Sequence, residues 1–312
     1  MFLKHLINPK PSIIIFFIIF CFFFVLTPLL KSDINLLFSC FFIHPLVVLL
    51  LSFFLPFFLS TGLNNIIYEK NIIRKENLVV GTTFILISSP FINTCDFWVS
   101  GFLLLFVFNF LIDTYQKDLP FYQFYNASFL LALICYSHPK MIYFISVFII
   151  SGINYSNLNW RIIITILLGF ITPYLFLFII LFLIDIPFNL PDFFNLSLIN
   201  TTISKSLCFS QKAWFVILSL TAFLSFFELF KWLYKKSIKS RKTFMTIMWF
   251  LIIILIITIF SEWNYIYFSL IPLTIIISNY FIYTKNRKLA NILFFLLVIS
   301  SFYYKYMIND CI

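Results

Sequence analysis

From Ser12 to Leu30 the chain runs nineteen residues without a charge, and stretches of this kind recur along its length. An α-helix rises about 1.5 Å per residue, so about 20 apolar residues cross the hydrocarbon core of a bilayer. Within that core each segment must satisfy its own backbone hydrogen bonds, which a helix does. This length rule places spans near 12–30, 44–61, 78–93, 97–113, 124–137, 141–154, 161–184, 213–233, 243–260, 264–283 and 288–305. The spans at 124–137 and 141–154 are short for a crossing. Together the segments predict an all-α fold: a polytopic transmembrane helical bundle of about 11 spans, forming a single integral membrane domain over 1–312.

A water-facing fold is excluded by composition. Hydrophobic residues make up 62% of the 312 positions and charged residues only 10%, against about a quarter in ordinary soluble domains. The bias toward Phe, Ile, Lys and Asn resembles an AT-rich bacterial coding pattern and carries no functional meaning. Met1–Pro11 is basic and precedes an apolar run, as in a signal peptide. The run exceeds the usual apolar core of about 7–15 residues, and no small-residue cleavage site follows, so it is expected to stay as the first span. The stretch 36–62 leaves room for a short interfacial helix ahead of its span. The hydrophilic loop at about 185–212 is expected to lie on the outer surface, where it has the composition to fold back as an amphipathic helix.

Loop charges orient the bundle. With the N-terminus cytoplasmic, inner segments carry Lys4, Lys10, Lys70, Arg74, Lys75, Lys117, Arg161, Lys231, Lys235, Lys236, Lys239, Arg241, Lys242, Lys285, Arg287 and Lys288. Only Lys31, Lys140, Lys205, Lys212 and Lys305 remain outside. That asymmetry is the positive-inside pattern. It also accounts for the net charge of +10 without nucleic acid, since no basic stripe exists beyond those loops. Trp160, Trp232 and Trp263 fall near the proposed interfaces, where indole rings favour the headgroup level.

Ionisable groups at membrane depth are costly and need an explanation. Asp33 follows the first span, and reads either as a solvated loop acid or as a general base. His44, beside Pro45, reads as a buried histidine or a site residue. His138 and Lys140 form the turn SHPK between two short spans. That turn is an interface anchor in one reading; in the other its ammonium holds a lipid phosphate as a point charge. Glu262 and Trp263 close a short outer turn. Glu228 stands at i,i+3 from Lys231, the ordinary spacing of a helical ion pair.

The six cysteines show no metal-ligand spacing and read mainly as small hydrophobes. Cys95 and Cys208 both fall in expected outer loops, which allows one disulfide. No GxSxG, HExxH, GxxxxGK[ST] or GxGxxG pattern occurs, so hydrolase, zinc-protease and nucleotide-binding classes have no motif support. No cofactor or metal is implied. No internal repeat stands out, which weighs against an inverted-repeat transporter.

Three blocks carry a resemblance: NPKPSIIIFFIIF at the start, the loop LNNIIYEKNIIRKEN, and YNASFLLALICYSHPKMIYFISVFIISG with RIIITILLGFITPYLFLF after it. In these the chain resembles a bacterial multi-pass inner-membrane family that carries a domain-of-unknown-function label. More distantly, its layout is similar to the C-class membrane glycosyltransferases, which use a polyprenyl-phosphate sugar on the outer face. The shared features are an early outward acid, a basic loop after the second span, paired short helices and a basic outward turn. That resemblance implies a catalytic acid at Asp33 and a phosphate-holding basic residue at Lys140; His138, His44 and Glu262, as the other rare polar groups expected on the outer face, are further candidate substrate-binding residues. It implies membrane lipid, a polyprenyl-phosphate sugar and possible membrane-protein partners, in the bacterial inner membrane. The sequence departs from the pattern in its very short first outer loop, its lack of a second acid beside Asp33 and its lack of a large outer domain. The rival readings are a noncatalytic subunit or scaffold of an envelope complex, and a lipid or small-molecule transporter.

Overall fold

The computed structural model describes residues 2–29, 45–88, 95–185, 209–261 and 263–307, with the isolated positions 187, 191 and 193. The fold there is all-α. Its helices are α1 (Phe2–Ile7), α2 (Pro11–Leu29), α3 (Pro45–Glu69), α4 (Val79–Ser88), α5 (Cys95–Ile112), α6 (Phe121–Ser137), α7 (Ile145–Tyr155), α8 (Trp160–Leu183), α9 (Phe209–Leu233), α10 (Ile238–Phe260), α11 (Leu270–Tyr283) and α12 (Arg287–Met307). Two 3₁₀ turns, Pro139–Phe144 and Trp263–Ser269, lead into α7 and α11.

Every segment expected to span contains one of these helices. Among the described residues, five segments are long and apolar enough to cross a bilayer: Trp160–Leu183, Phe209–Leu233, Ile238–Phe260, Tyr265–Tyr283 and Arg287–Tyr304. Shorter apolar helices occupy Pro11–Phe23, Val79–Ser88, Phe97–Ile112 and Pro139–Tyr155. The interfacial helix expected before Pro45 and nearly all of the outer loop at 185–212 lie outside the described residues.

One element was not expected. The basic N-terminal stretch forms α1, with Leu3, Leu6 and Ile7 buried while Lys4 and His5 are exposed. The i, i+3, i+4 spacing of those three apolar residues gives one helix face. Leu78 N–H donates to Leu6 O at 2.9 Å, which ties α1 to the loop before α4.

The helices gather into two compact units. The first comprises Met1–Val99, Thr202–Ser237 and Leu270–Ile312. Its inner helices are α4 and α11. All ten residues of α4 are buried, as is α11 from Leu270 to Ile282. A helix that is apolar all round belongs in such an interior. Polar groups within it pair locally. The Thr83 and Ser278 hydroxyls lie 3.1 Å apart, Ser301 Oγ donates to Leu86 O at 3.0 Å, and Trp214 Nε1 donates to Ser301 Oγ at 3.3 Å. Gly81 lets α4 approach closely: a Cβ there would lie 3.0 Å from the Phe17 ring and 3.3 Å from Ser60 O.

The second unit comprises Ser100–Thr201 and Ile238–Ser269. Helices α6 and α8 form its tightest pair. Tyr174 Oη donates to Ala132 O at 3.1 Å, and Tyr125 Oη donates to Thr172 Oγ1 at 3.2 Å. Asn154 Nδ2 joins α7 to α10 by donating to Lys242 O at 2.7 Å and Thr246 Oγ1 at 3.0 Å. The Phe250 ring packs on Phe144 at 4.7 Å and on Phe108 at 6.0 Å. The far side of α8 exposes Leu167, Leu168, Leu175, Phe176, Ile179 and Phe182. A continuous apolar face of this size is a lipid-facing surface in a helix long enough to span.

Gly169 makes the α6–α8 approach possible. A Cβ there would collide with Ser128 Oγ and lie 2.6 Å from Tyr125 O. Small residues permit this backbone proximity in membrane bundles. Gly169→Ala is expected to destabilise the protein by about 1–3 kcal/mol. The measurement is thermal aggregation of detergent-solubilised protein, with the exposed Leu168→Ala as a near-neutral control.

Candidate functional site

The SHPK turn is built by the end of α6 and the 3₁₀ turn after it. His138 closes α6, its backbone N–H donating to Ile134 O at 2.8 Å while its carbonyl accepts from Met141 N at 3.0 Å. Pro139 fixes the first residue of the 3₁₀ turn, where a missing N–H costs little. Met141 and Phe144 are fully buried and set the turn's direction. Lys140 is half-buried on this turn.

The His138 side chain is 8% exposed. Its ring meets the edges of two aromatic rings from the second turn: Phe268 at 5.2 Å and 73°, and Tyr265 at 5.9 Å and 77°. The two turns that precede α7 and α11 therefore share one aromatic cluster in the second unit. Glu262 directly precedes the second turn but lies outside the described residues, as do Asp33 and His44. Of the expected site residues, the structure thus describes His138 and Lys140 on one turn.

Among the described residues, no group of three or more His, Cys, Asp or Glu side chains is arranged to hold a metal ion. Cys21 and Cys135 are buried free thiols, matching their reading as small hydrophobes. The Cys95–Cys208 pairing falls outside the described side chains.

A different polar gathering occupies loop ends of the first unit. The Lys236 ammonium lies 4.5 Å from the centre of the Tyr283 ring and 4.6 Å from that of Trp232. Lys75 stands 5.6 Å from the same Tyr283 ring, and the two rings pack at 5.1 Å. In the sequence these lysines belong to the basic loops that orient the bundle, and Trp232 falls near a proposed interface. Only the fold shows that Tyr283 collects them.

In comparison with known proteins, no family model, curated protein or solved structure matches the chain. The class is therefore defined by the fold: a multi-pass integral membrane helical protein, in contact with lipid.

The aromatic edges on His138 give this turn a packing role of its own. An aromatic pair contributes about 0.5–1.5 kcal/mol beyond its area. His138→Ala is expected to lower the melting temperature of the solubilised protein, while His138→Phe restores most of the loss. Loss of stability that Phe fails to recover would show that the imidazole acts through polarity.

Proposed function

We propose that the chain binds a lipid-linked phosphate sugar at the paired turns of the second unit and acts as a glycosyltransferase-like membrane protein. The supporting observation is the aromatic cluster of His138, Tyr265 and Phe268, which brings the Lys140 turn and the turn after Glu262 together. Aromatic rings suit the apolar part of such a donor, and a lysine on the same turn suits its anionic part. In this reading Asp33, the expected base, removes the proton from an acceptor hydroxyl. The acceptor oxygen bonds to the anomeric carbon, the bond from that carbon to the phosphate oxygen breaks, and polyprenyl phosphate leaves with the electron pair. Lys140 and His138 hold the departing phosphate, and His44 and Glu262 are further candidate substrate-binding residues in this reading.

A specific observation favours a second reading, a noncatalytic subunit of a membrane complex. His138 is largely enclosed by aromatic edges, so packing explains it without a substrate.

Purified protein in liposomes, supplied with polyprenyl-phosphate sugars and a cell-envelope acceptor extract, separates the two. The enzymatic reading predicts transfer of labelled sugar that falls at least a hundredfold in Asp33→Asn, in line with the typical contribution of a general base of about 10²–10⁴-fold. Lys140→Ala is expected to raise KM for the donor more than it lowers kcat. Absence of transfer, with full cellular function of both variants and stoichiometric copurification of a membrane partner, selects the scaffold.

A further inference from the structure

The loop ends of the first unit hold more positive charge than their surroundings neutralise. The loop after α3 is firmly placed. Ile72 and Ile73 are buried, Asn71 takes a left-handed conformation at φ 58, and Asn77 caps α4 through Val80 N–H at 3.3 Å. That loop directs Lys75 to the Tyr283 ring, onto which Lys236 comes from the turn after α9. Two ammoniums on one ring repel each other, and each gains only a modest cation–π attraction. The nearest carboxylates in the loop, Glu69 and Glu76, accept from Asn65 Nδ2 at 2.8 Å and from Tyr68 Oη at 3.0 Å, and neither lines the pocket that Lys75 shares with Lys4 and Arg287. Burial, then the charges of Arg74 and Lys75, hold the Lys236 ammonium below its ordinary pKa.

Two pockets flank this cluster. One, of about 410 Å³, is lined by Lys4, Lys75, Arg287, Asn8 and Asn291 together with apolar residues of α1. The other, of about 470 Å³, is lined by Trp232, Tyr283, Lys231, Lys235 and Lys285, with Glu228 as its one carboxylate. Both fall in the usual range for small-ligand sites, about 300–1,000 Å³. Arg287 is held rigidly between roles. Its Nη1 and Nη2 cap α11 by donating to Phe281 O at 3.1 Å and Ile282 O at 3.0 Å. It also opens α12, whose first turn carries no acidic residue, so cations stand where a helix dipole favours an anion.

We propose that the Lys4–Lys75–Arg287 pocket and the adjoining Lys75–Tyr283–Lys236 cluster form a binding site for a phosphate group. A phosphate accepts charge-assisted hydrogen bonds from several cations at once and relieves their mutual repulsion. The aromatic rings and the apolar residues of α1 suit the glycerol or acyl portion of an anionic lipid, and basic pockets between membrane helices commonly take such headgroups. The site is built from residues of the first unit alone and does not rest on the transferase reading.

The test uses full-length protein in a neutral maltoside detergent, with Trp fluorescence and melting temperature followed during titration. One arm adds phosphatidylglycerol in mixed micelles, a second adds inorganic phosphate, and a third adds sodium chloride at matched ionic strength. Saturable binding of phosphatidylglycerol alone supports a lipid headgroup as the source; saturable binding of phosphate supports a soluble anion. In either case Lys75→Gln and Lys236→Gln are each expected to weaken binding about tenfold, the loss of one charge-assisted contact. Lys117→Gln, an exposed basic residue of the second unit, should bind normally. No saturable response beyond the chloride arm overturns the proposal. So does a response that Lys75→Gln, Lys236→Gln and the double variant leave unchanged.

Discussion

Hydrocarbon offers no hydrogen bonds, and the polar groups of both units are arranged around that fact. Serine and threonine hydroxyls inside helices turn back to carbonyls three or four residues earlier, as Thr83, Ser151 and Thr221 do. Asparagine and tyrosine donors that leave their own helix find a partner across a packing face, as Asn157 does with Thr114 O at 2.8 Å. Charge is displaced to the loop ends, where water and headgroups solvate it. Asn279 departs from the rule: it is 1% exposed, and its amide has no hydrogen-bond partner among the described residues. A buried unpaired amide costs roughly 1–3 kcal/mol.

The same constraint decided what was legible beforehand. Apolar runs long enough to cross a bilayer announce helices, so the segments at 161–184, 213–233 and 243–260 return as α8, α9 and α10 with ends shifted by a few residues. Shorter features were less visible. Helix α1 is six residues long, and three apolar residues among basic ones look like a solvated leader until Leu78 is seen to bond it. The 3₁₀ entries to α7 and α11 change the path of the chain without changing its hydropathy, so composition cannot report them.

Site residues divide in the same way. His138 and Lys140 stood out as rare polar groups at an apolar turn, and the structure keeps them on that turn. The rings that enclose His138 come from more than a hundred residues later, a partnership no local pattern encodes. The basic loops were conspicuous but absorbed by the positive-inside rule, which explains their side and leaves their grouping open. Tyr283 ends a helix in an otherwise apolar run, and its importance depends wholly on Lys75 and Lys236 arriving from distant loops. Charge that serves topology in the sequence becomes, in three dimensions, a concentrated cationic surface with aromatic walls.

The positive-inside pattern of the loop charges leads to the expectation that Lys75 and Lys236 face one side of the membrane and Lys140 the other. Single cysteines at these positions, in a background lacking the native ones, can be treated with a membrane-impermeant maleimide in intact cells and again after permeabilisation. That orientation predicts labelling of Lys140→Cys in intact cells, and of Lys75→Cys and Lys236→Cys only once the membrane is opened. Labelling of all three from the same side would contradict it.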